Sequence, residues 1–277
     1  MAPRCFVIGH PIAHSRSPLI HGEWLREHRL PGSYERIDVA PSDLPALIAR
    51  LRHGEFAGGN VTFPHKEAVM ALVDEITAAG RAVGAVNTLW HENGRIIADN
   101  SDVGGFLAHL DAMVPGWHGR VGTALVLGAG GAARGICYGL KARGVPRIIV
   151  VNRSPERASE LASALGHPLE ARDWAQRERL VGEADLIVNT TALGMQAKPP
   201  LEIDLAALRP GTIVDDIVYV PLKTALLAEA ERRGGLPVDG LGMLLHQAVP
   251  GFARWYGVTP QVTSALRALI EADILKA

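Results

Sequence analysis

A continuous apolar run, Thr123–Leu127, ends in Gly128-Ala129-Gly130-Gly131-Ala132-Ala133 and continues at helical spacing through Lys141. No other feature of the chain narrows the possible folds as much. A run that is apolar at every position suits a strand buried on both faces of a parallel sheet. The G-x-G-x-x-A spacing supplies a tight turn, a second glycine where a pyrophosphate can approach the backbone, and a small third residue where helix and strand pack closely. Free N–H groups and the positive dipole end at the start of that helix attract phosphate. Strands over Arg147–Val151, Asp185–Val188 and Thr212–Ile217, with a helix from Pro155, extend the unit into a doubly wound, Rossmann-like α/β sheet.

The cofactor is read about 20 residues beyond the first glycine, where an acidic residue would hold the ribose 2′-hydroxyl of NAD. This chain has Asn152-Arg153-Ser154 there, with Arg157 one turn on. Guanidinium groups bind phosphate through a bidentate fork, so these residues suit a 2′-phosphate and the expected cofactor is NADP(H).

Upstream, strand and helix alternate again. Cys5–Gly9 reads as a strand, Ser17-Pro18 opens a helix to about His28, Arg36–Val39 is a strand and Leu44–Arg52 a helix. Gly58–Thr62 reads as a strand end, and Pro64-His65-Lys66 as the start of a helix to about Ala79, giving a largely parallel sheet. The tail, Leu241–Trp255 and Gln261–Lys276, is helical and is expected to return to this first domain.

Composition excludes several classes of function. A length of 277 residues allows about two domains. With 48% hydrophobic and 21% charged residues the chain is globular, and a net charge of −1 with 5% aromatics offers no surface for nucleic acid. Cys5 and Cys137 cannot make a disulfide framework and suit a reducing compartment. The apolar stretch Val121–Ala133 ends at Arg134, short of the ~20 residues of a membrane span. The first residues do not read as a signal peptide, so a cytoplasmic protein is expected. Among the eleven histidines, His10 and His14 are separated by Pro11, and His21 and His28 have no evident third ligand, so no metal is expected.

Five blocks together resemble the shikimate dehydrogenase family (shikimate and quinate dehydrogenases): Val7–Pro18, Asn60-Val61-Thr62-Phe63-Pro64-His65-Lys66, Gly84–Thr88, Asn100-Ser101-Asp102 and Asn189–Met195. Asp216–Tyr219 with Pro221, and Gly242–Gln247, extend the likeness over nearly the whole chain. Ser101 stands where a threonine is usual, and Val220 where asparagine is expected. The resemblance implies two α/β domains with the active site in the cleft between them. Residues 1–105 with 241–277 would form a discontinuous catalytic domain that binds substrate, and 106–240 the NADP-binding domain. It implies NADP-dependent interconversion of 3-dehydroshikimate and shikimate in chorismate and aromatic amino-acid biosynthesis, by a monomer or homodimer. At the cofactor it places Gly128, Ala129, Gly130, Gly131, Ala132, Asn152, Arg153, Ser154, Arg157, Thr190, Gly240 and Met243, and at the substrate Tyr219.

The remaining site residues make chemical sense on their own. Ser15 and Ser17 flank a helix start that favours an anion such as a small carboxylate, although Ser17 could simply cap its helix. Asn60, Thr62, Asn87 and Gln247 are uncharged hydrogen-bonding groups suited to a polyhydroxylated ring, though singly each is as ordinary as a turn residue. Hydride transfer to a ketone leaves an alkoxide that needs a proton, and Lys66 with Asp102 is the expected pair. In the first turn of a helix the positive dipole end would disfavour the Lys66 cation, while an Asp102 carboxylate nearby would favour it. The alternatives are a quinate/shikimate dehydrogenase with relaxed substrate or NAD use, and a non-catalytic dinucleotide sensor, which would not need a proton-transfer pair.

Overall fold

The computed structural model describes residues 2–276 and separates into two units. Residues up to Gly105 together with those from Leu245 onward make the first, and Phe106–Leu244 the second.

The first unit carries a six-stranded sheet in the order β2-β1-β3-β5-β6-β4. Its strands are β1 (Arg4–Gly9), β2 (Ser33–Asp38), β3 (Gly58–Val61), β4 (Glu75–Ile76), β5 (Thr88–Glu92) and β6 (Arg95–Asp99). β1 pairs in parallel with β2 and β3, as β4 does with β6, whereas β5 is antiparallel to both β3 and β6. The sheet is therefore mixed, because β5 and β6 form a hairpin across Asn93-Gly94. Both turn residues have positive φ, 51° and 78°, the two-residue turn that Asn-Gly favours. Helices α1 (Ser17–Glu27) and α2 (Leu44–Arg52) cover it. α2 buries Leu44, Leu47, Ile48 and Leu51, a helical stripe against the core.

The helix expected from Pro64 to Ala79 does not form. Residues 63–67 are turns, Ala68–Leu72 is a short 3-10 segment, and β4 and α3 (Ala78–Val83) follow. Pairing with β6 outweighs the local helical preference: the Asp74 and Thr77 N–H groups donate to Ile96 and Ala98 carbonyls at 2.9 and 3.0 Å. The Lys66 carbonyl accepts from Val86 N–H at 2.9 Å instead of a helical partner. The Thr77 side chain caps α3 by accepting from Gly80 N–H.

In the second unit all six strands are parallel, in the order β12-β11-β10-β7-β8-β9. They are β7 (Thr123–Leu127), β8 (Arg147–Asn152), β9 (Leu169–Asp173), β10 (Leu186–Asn189), β11 (Ile213–Asp216) and β12 (Leu236–Asp239). The helices run in chain order α4 (Ser101–Met113), α5 (Gly131–Ala142), α6 (Pro155–Leu165), α7 (Arg177–Val181), α8 (Ala225–Arg232) and α9 (Gly240–His246). Only α4 begins, and α9 ends, beyond the unit's bounds. Leu125, Leu127, Ile149, Val151, Ile187 and Val214 build the core on one face of the sheet, and Ala124, Val126, Ile148, Val150 and Val188 that on the other. The edge strands β9 and β12 carry polar residues and a proline, which is why no apolar run marks them in the sequence. The chain ends with α10 (Ala248–Tyr256) and α11 (Ser264–Ile274) in the first unit.

β11 ends in two buried acids, Asp215 and Asp216. Burial, followed by the charges of Asp216 and Asp239, holds the Asp215 carboxyl well above its ordinary value of 3.8. The unfolded chain releases this proton above about pH 4 while the folded chain keeps it, so this group erodes stability as pH rises. Asp215→Asn is accordingly expected to raise stability at neutral pH and to flatten its decline above pH ~4, as read from urea midpoints of both proteins across pH.

Candidate active site

In the first unit a set of polar side chains closes into one hydrogen-bonded cluster. Lys66, in the turn after β3, places Nζ 2.7 Å from Asp102 Oδ2. Asn87 Nδ2 donates to the other carboxylate oxygen at 2.8 Å. Asn87 Oδ1 in turn accepts from the Ser101 N–H at 2.7 Å and from the Ser101 and Thr88 hydroxyls at 3.1 Å each. Gln247, between α9 and α10, lies with Oε1 3.4 Å from Ser101 Oγ. Asn100 caps α4 by accepting from the Asp102 and Val103 N–H groups. A helix N-terminus thus lies beneath Asp102, where its dipole favours the carboxylate. Lys66, expected in the first turn of a helix, starts none, so no helix dipole acts on its cation.

The cluster's outer members remain accessible: the Lys66 and Asp102 side chains are 32% and 28% exposed. Asn60 lies deeper. Its Oδ1 accepts from the Tyr34 hydroxyl at 2.6 Å, and its Nδ2 donates to the Asn87 carbonyl and Thr88 Oγ1. Tyr34 stays a neutral donor, since burial raises it well above the ordinary tyrosine value. Its ring stacks on His21 at 4.0 Å, and burial pushes that imidazole down to about 3. His21 is therefore a neutral aromatic residue of the core. Among the described residues no group of three or more His, Cys, Asp or Glu could hold a metal ion.

Ser17 is the first residue of α1 rather than its cap. Arg16 occupies the cap position without a side-chain bond, and the Ser15 hydroxyl accepts from the Ser17 N–H at 3.4 Å. Thr62 follows β3, with its N–H on the Ile8 carbonyl. The Ser101 hydroxyl lies within hydrogen-bond reach of Thr88, Asn87 and Gln247, so the departure from threonine keeps a hydroxyl in the cluster.

Asn87 is the member on which the others depend. Ser101 N–H cannot reorient, so Asn87→Ala leaves one buried donor unpaired, at a cost of about 1–3 kcal/mol. A lowered urea midpoint together with reduced turnover is the expected result; unchanged turnover would show that Asn87 does not position Asp102.

The second unit holds a pocket of about 360 Å³ at the carboxyl ends of β7, β8 and β10. Gly128, Ala129 and Gly130 line it on one side, Asn152 and Arg153 on another, and Thr190–Leu193 on a third. Trp174, Lys198 and Pro199 complete the wall, and none of these three was singled out in the sequence. Gly128 has φ +110°, and a Cβ there would lie 2.6 Å from Thr190 Oγ1. At Gly130 and Gly131 a Cβ would meet open space, which leaves the helix start clear for a group lying against the backbone. Thr190 donates its hydroxyl to the Leu127 carbonyl at 2.7 Å, fixing the loop after β10 to the glycine turn.

Asn152 Nδ2 donates to the Ser154 carbonyl and closes the turn into α6, where Ser154 is the cap and Arg157 lies exposed in the first turn. Gly131, Ala132, Ser154, Arg157, Gly240 and Met243 do not line this pocket. Gly240 opens α9, where a Cβ would sit 2.3 Å from the Ile217 carbonyl oxygen, and Met243 packs on the core. Tyr219 is half-buried in the segment after β11.

The model of the shikimate dehydrogenase substrate-binding domain matches residues 7–89, and that of shikimate/quinate 5-dehydrogenase matches residues 118–197. The shikimate dehydrogenase (NADP(+)) of Brucella abortus (strain S19) is 54% identical over 99% of this chain and 96% of its own. The chain belongs to the shikimate dehydrogenase family. Among solved members, the shikimate 5-dehydrogenase of Thermus thermophilus in complex with NADP(H) and shikimate is 35% identical, with a TM-score of 0.84 over 99% of both chains. The quinate dehydrogenase of Corynebacterium glutamicum in complex with NAD is 30% identical, with a TM-score of 0.90 over 98% of this chain and 99% of that one. No helix among the described residues is long and apolar enough to cross a membrane.

Proposed function

We propose that this protein is an NADP-dependent oxidoreductase that interconverts 3-dehydroshikimate and shikimate in the cytoplasm, on the route to chorismate and the aromatic amino acids. The observation that carries the reading is the accessible Lys66–Asp102 pair, held by Asn87 in the unit that matches the family's substrate-binding domain. The first unit then takes the substrate and the second the cofactor. The glycine turn and the open start of α5 suit the pyrophosphate, and Asn152, Arg153, Ser154 and Arg157 suit the 2′-phosphate. NADPH, when bound, supplies the hydride.

The chain's own residues supply the rest. Lys66 donates a proton to the carbonyl oxygen as negative charge develops there, and Asp102 orients the ammonium and compensates its charge. The two are 2.7 Å apart, so the carboxylate fixes where the ammonium meets the carbonyl oxygen. Ser15 and Ser17 hold the substrate carboxylate. Thr62, Asn87 and Gln247 orient the ring hydroxyls, and Asn60 supports them from behind through Asn87 and Thr88.

The choice of substrate tests this reading. Quinate carries an extra hydroxyl at the carboxyl-bearing carbon, where Ser15 and Ser17 would meet it. An unsatisfied buried hydroxyl costs about 1–3 kcal/mol, so kcat/KM should favour shikimate over quinate by about 5- to 150-fold. Assaying both acids with NADP+ and NAD+ by nicotinamide absorbance should show the highest value for shikimate with NADP+. Equal values for the two acids would overturn the assignment of the serines.

A further inference from the structure

β8 and β9 are in register with Asn152 opposite Asp173, so the chain leaves the sheet at Arg153 and Trp174 side by side. Trp174 is fixed from several directions. Asp173 Oδ1 accepts from the Ala175 N–H at 2.7 Å and caps its turn. The Arg177 guanidinium lies 5.1 Å from the indole centroid, with Nη1 on the Trp174 carbonyl and Nε on that of Glu202. Leu201 and Ile203 pack with Trp174 against the same core. Lys198 itself is set by a compact loop, in which Gly194 N–H donates to the Pro199 carbonyl at 2.8 Å and Lys198 N–H to that of Met195 at 3.0 Å. Arg172 and Arg177, close by in sequence, pair with Glu170 and Glu178, whereas among the described residues no carboxylate pairs with Arg153, Arg157 or Lys198. Arg153 and Lys198 both line the pocket.

An immobilised indole and unpaired cations around one pocket suit a ligand that is aromatic at one point and multiply anionic at another. We propose that Trp174 is the surface on which the adenine of the cofactor packs and that Lys198 is a further cation for the 2′-phosphate. The inference rests on the NADP reading above and extends it from one segment of chain to three. A monoester phosphate carries nearly two charges at neutral pH. Guanidinium groups supply its directional bonds, and the Lys198 ammonium adds a point charge from a separate loop. Aromatic stacking is indifferent to the phosphate, so Trp174 serves every adenine nucleotide alike.

Calorimetric titration with NADP+, NAD+, 2′,5′-ADP and 5′-AMP separates the two roles. Lys198→Ala should weaken NADP+ and 2′,5′-ADP about tenfold and leave NAD+ and 5′-AMP within about twofold, with Lys198→Arg restoring most of the loss. Trp174→Ala should weaken all four about tenfold, with Trp174→Phe retaining most of the affinity. 5′-AMP should quench tryptophan emission in the unmodified protein and not in Trp174→Phe. Equal weakening of NADP+ and NAD+ by Lys198→Ala, or no weakening, overturns the role of Lys198, and an undiminished quench in Trp174→Phe overturns that of Trp174. Arg153→Ala serves as the reference. Selective loss of NADP+ there but not at Lys198 defeats this inference alone, whereas no selectivity at either position defeats the NADP reading itself.

Discussion

Lys66→Ala should lower kcat by about 10²- to 10⁴-fold, the usual contribution of a positioned proton donor. The ammonium acts on charge that exists only as the carbonyl becomes an alcohol, so the loss belongs to turnover more than to binding. Cofactor affinity should change little, because Lys66 stands in the unit that carries no part of the glycine turn. Steady-state rates at saturating cofactor, set beside calorimetric NADP+ affinity, check both halves. A variant with near-normal kcat would remove Lys66 from the reaction.

Asp102→Asn should be nearly as damaging, for a geometric reason. Each carboxylate oxygen accepts one bond, Oδ1 from the Asn87 amide and Oδ2 from Lys66. An asparagine offers one oxygen and one NH2 group, so whichever way it turns, a donor faces either Asn87 or Lys66. The Lys66 ammonium also loses the charge that compensates and orients it. A fall in kcat of about 10²-fold or more is expected. If the two residues act as one device, the double variant Lys66→Ala/Asp102→Asn should be little slower than the slower single variant. Multiplying losses would show instead that they act independently.

The doubly wound second unit could be read from β7 and its glycine turn because both signals are local. A central parallel strand must be apolar on both faces, and a backbone at φ +110° requires Gly128. α2 was legible for the same reason, its four buried residues recurring at helical spacing. The β5–β6 hairpin is also present in the sequence, in Asn93-Gly94, a two-residue signal set among strand–helix alternation. Edge strands β9 and β12 left no comparable mark, since solvent on one side relaxes the demand for apolar residues.

The chain alone thus determines where hydrophobic periodicity, glycine geometry and the short motifs lie, and with them the types of side chain available for chemistry. Tertiary structure decided what these side chains face. It drew Asp74 and Thr77 into pairing with β6, dissolving the helix expected around Lys66 and setting that residue in a turn against Asp102. It also brought Trp174 and Lys198, from two loops that no motif marks, to the wall beside Arg153. Lys66 and Asp102 are 36 positions apart, and Ser101 and Gln247 are 146. Contacts at such separations depend on sheet order and strand register, which follow from how the whole chain buries its apolar surface and satisfies its backbone.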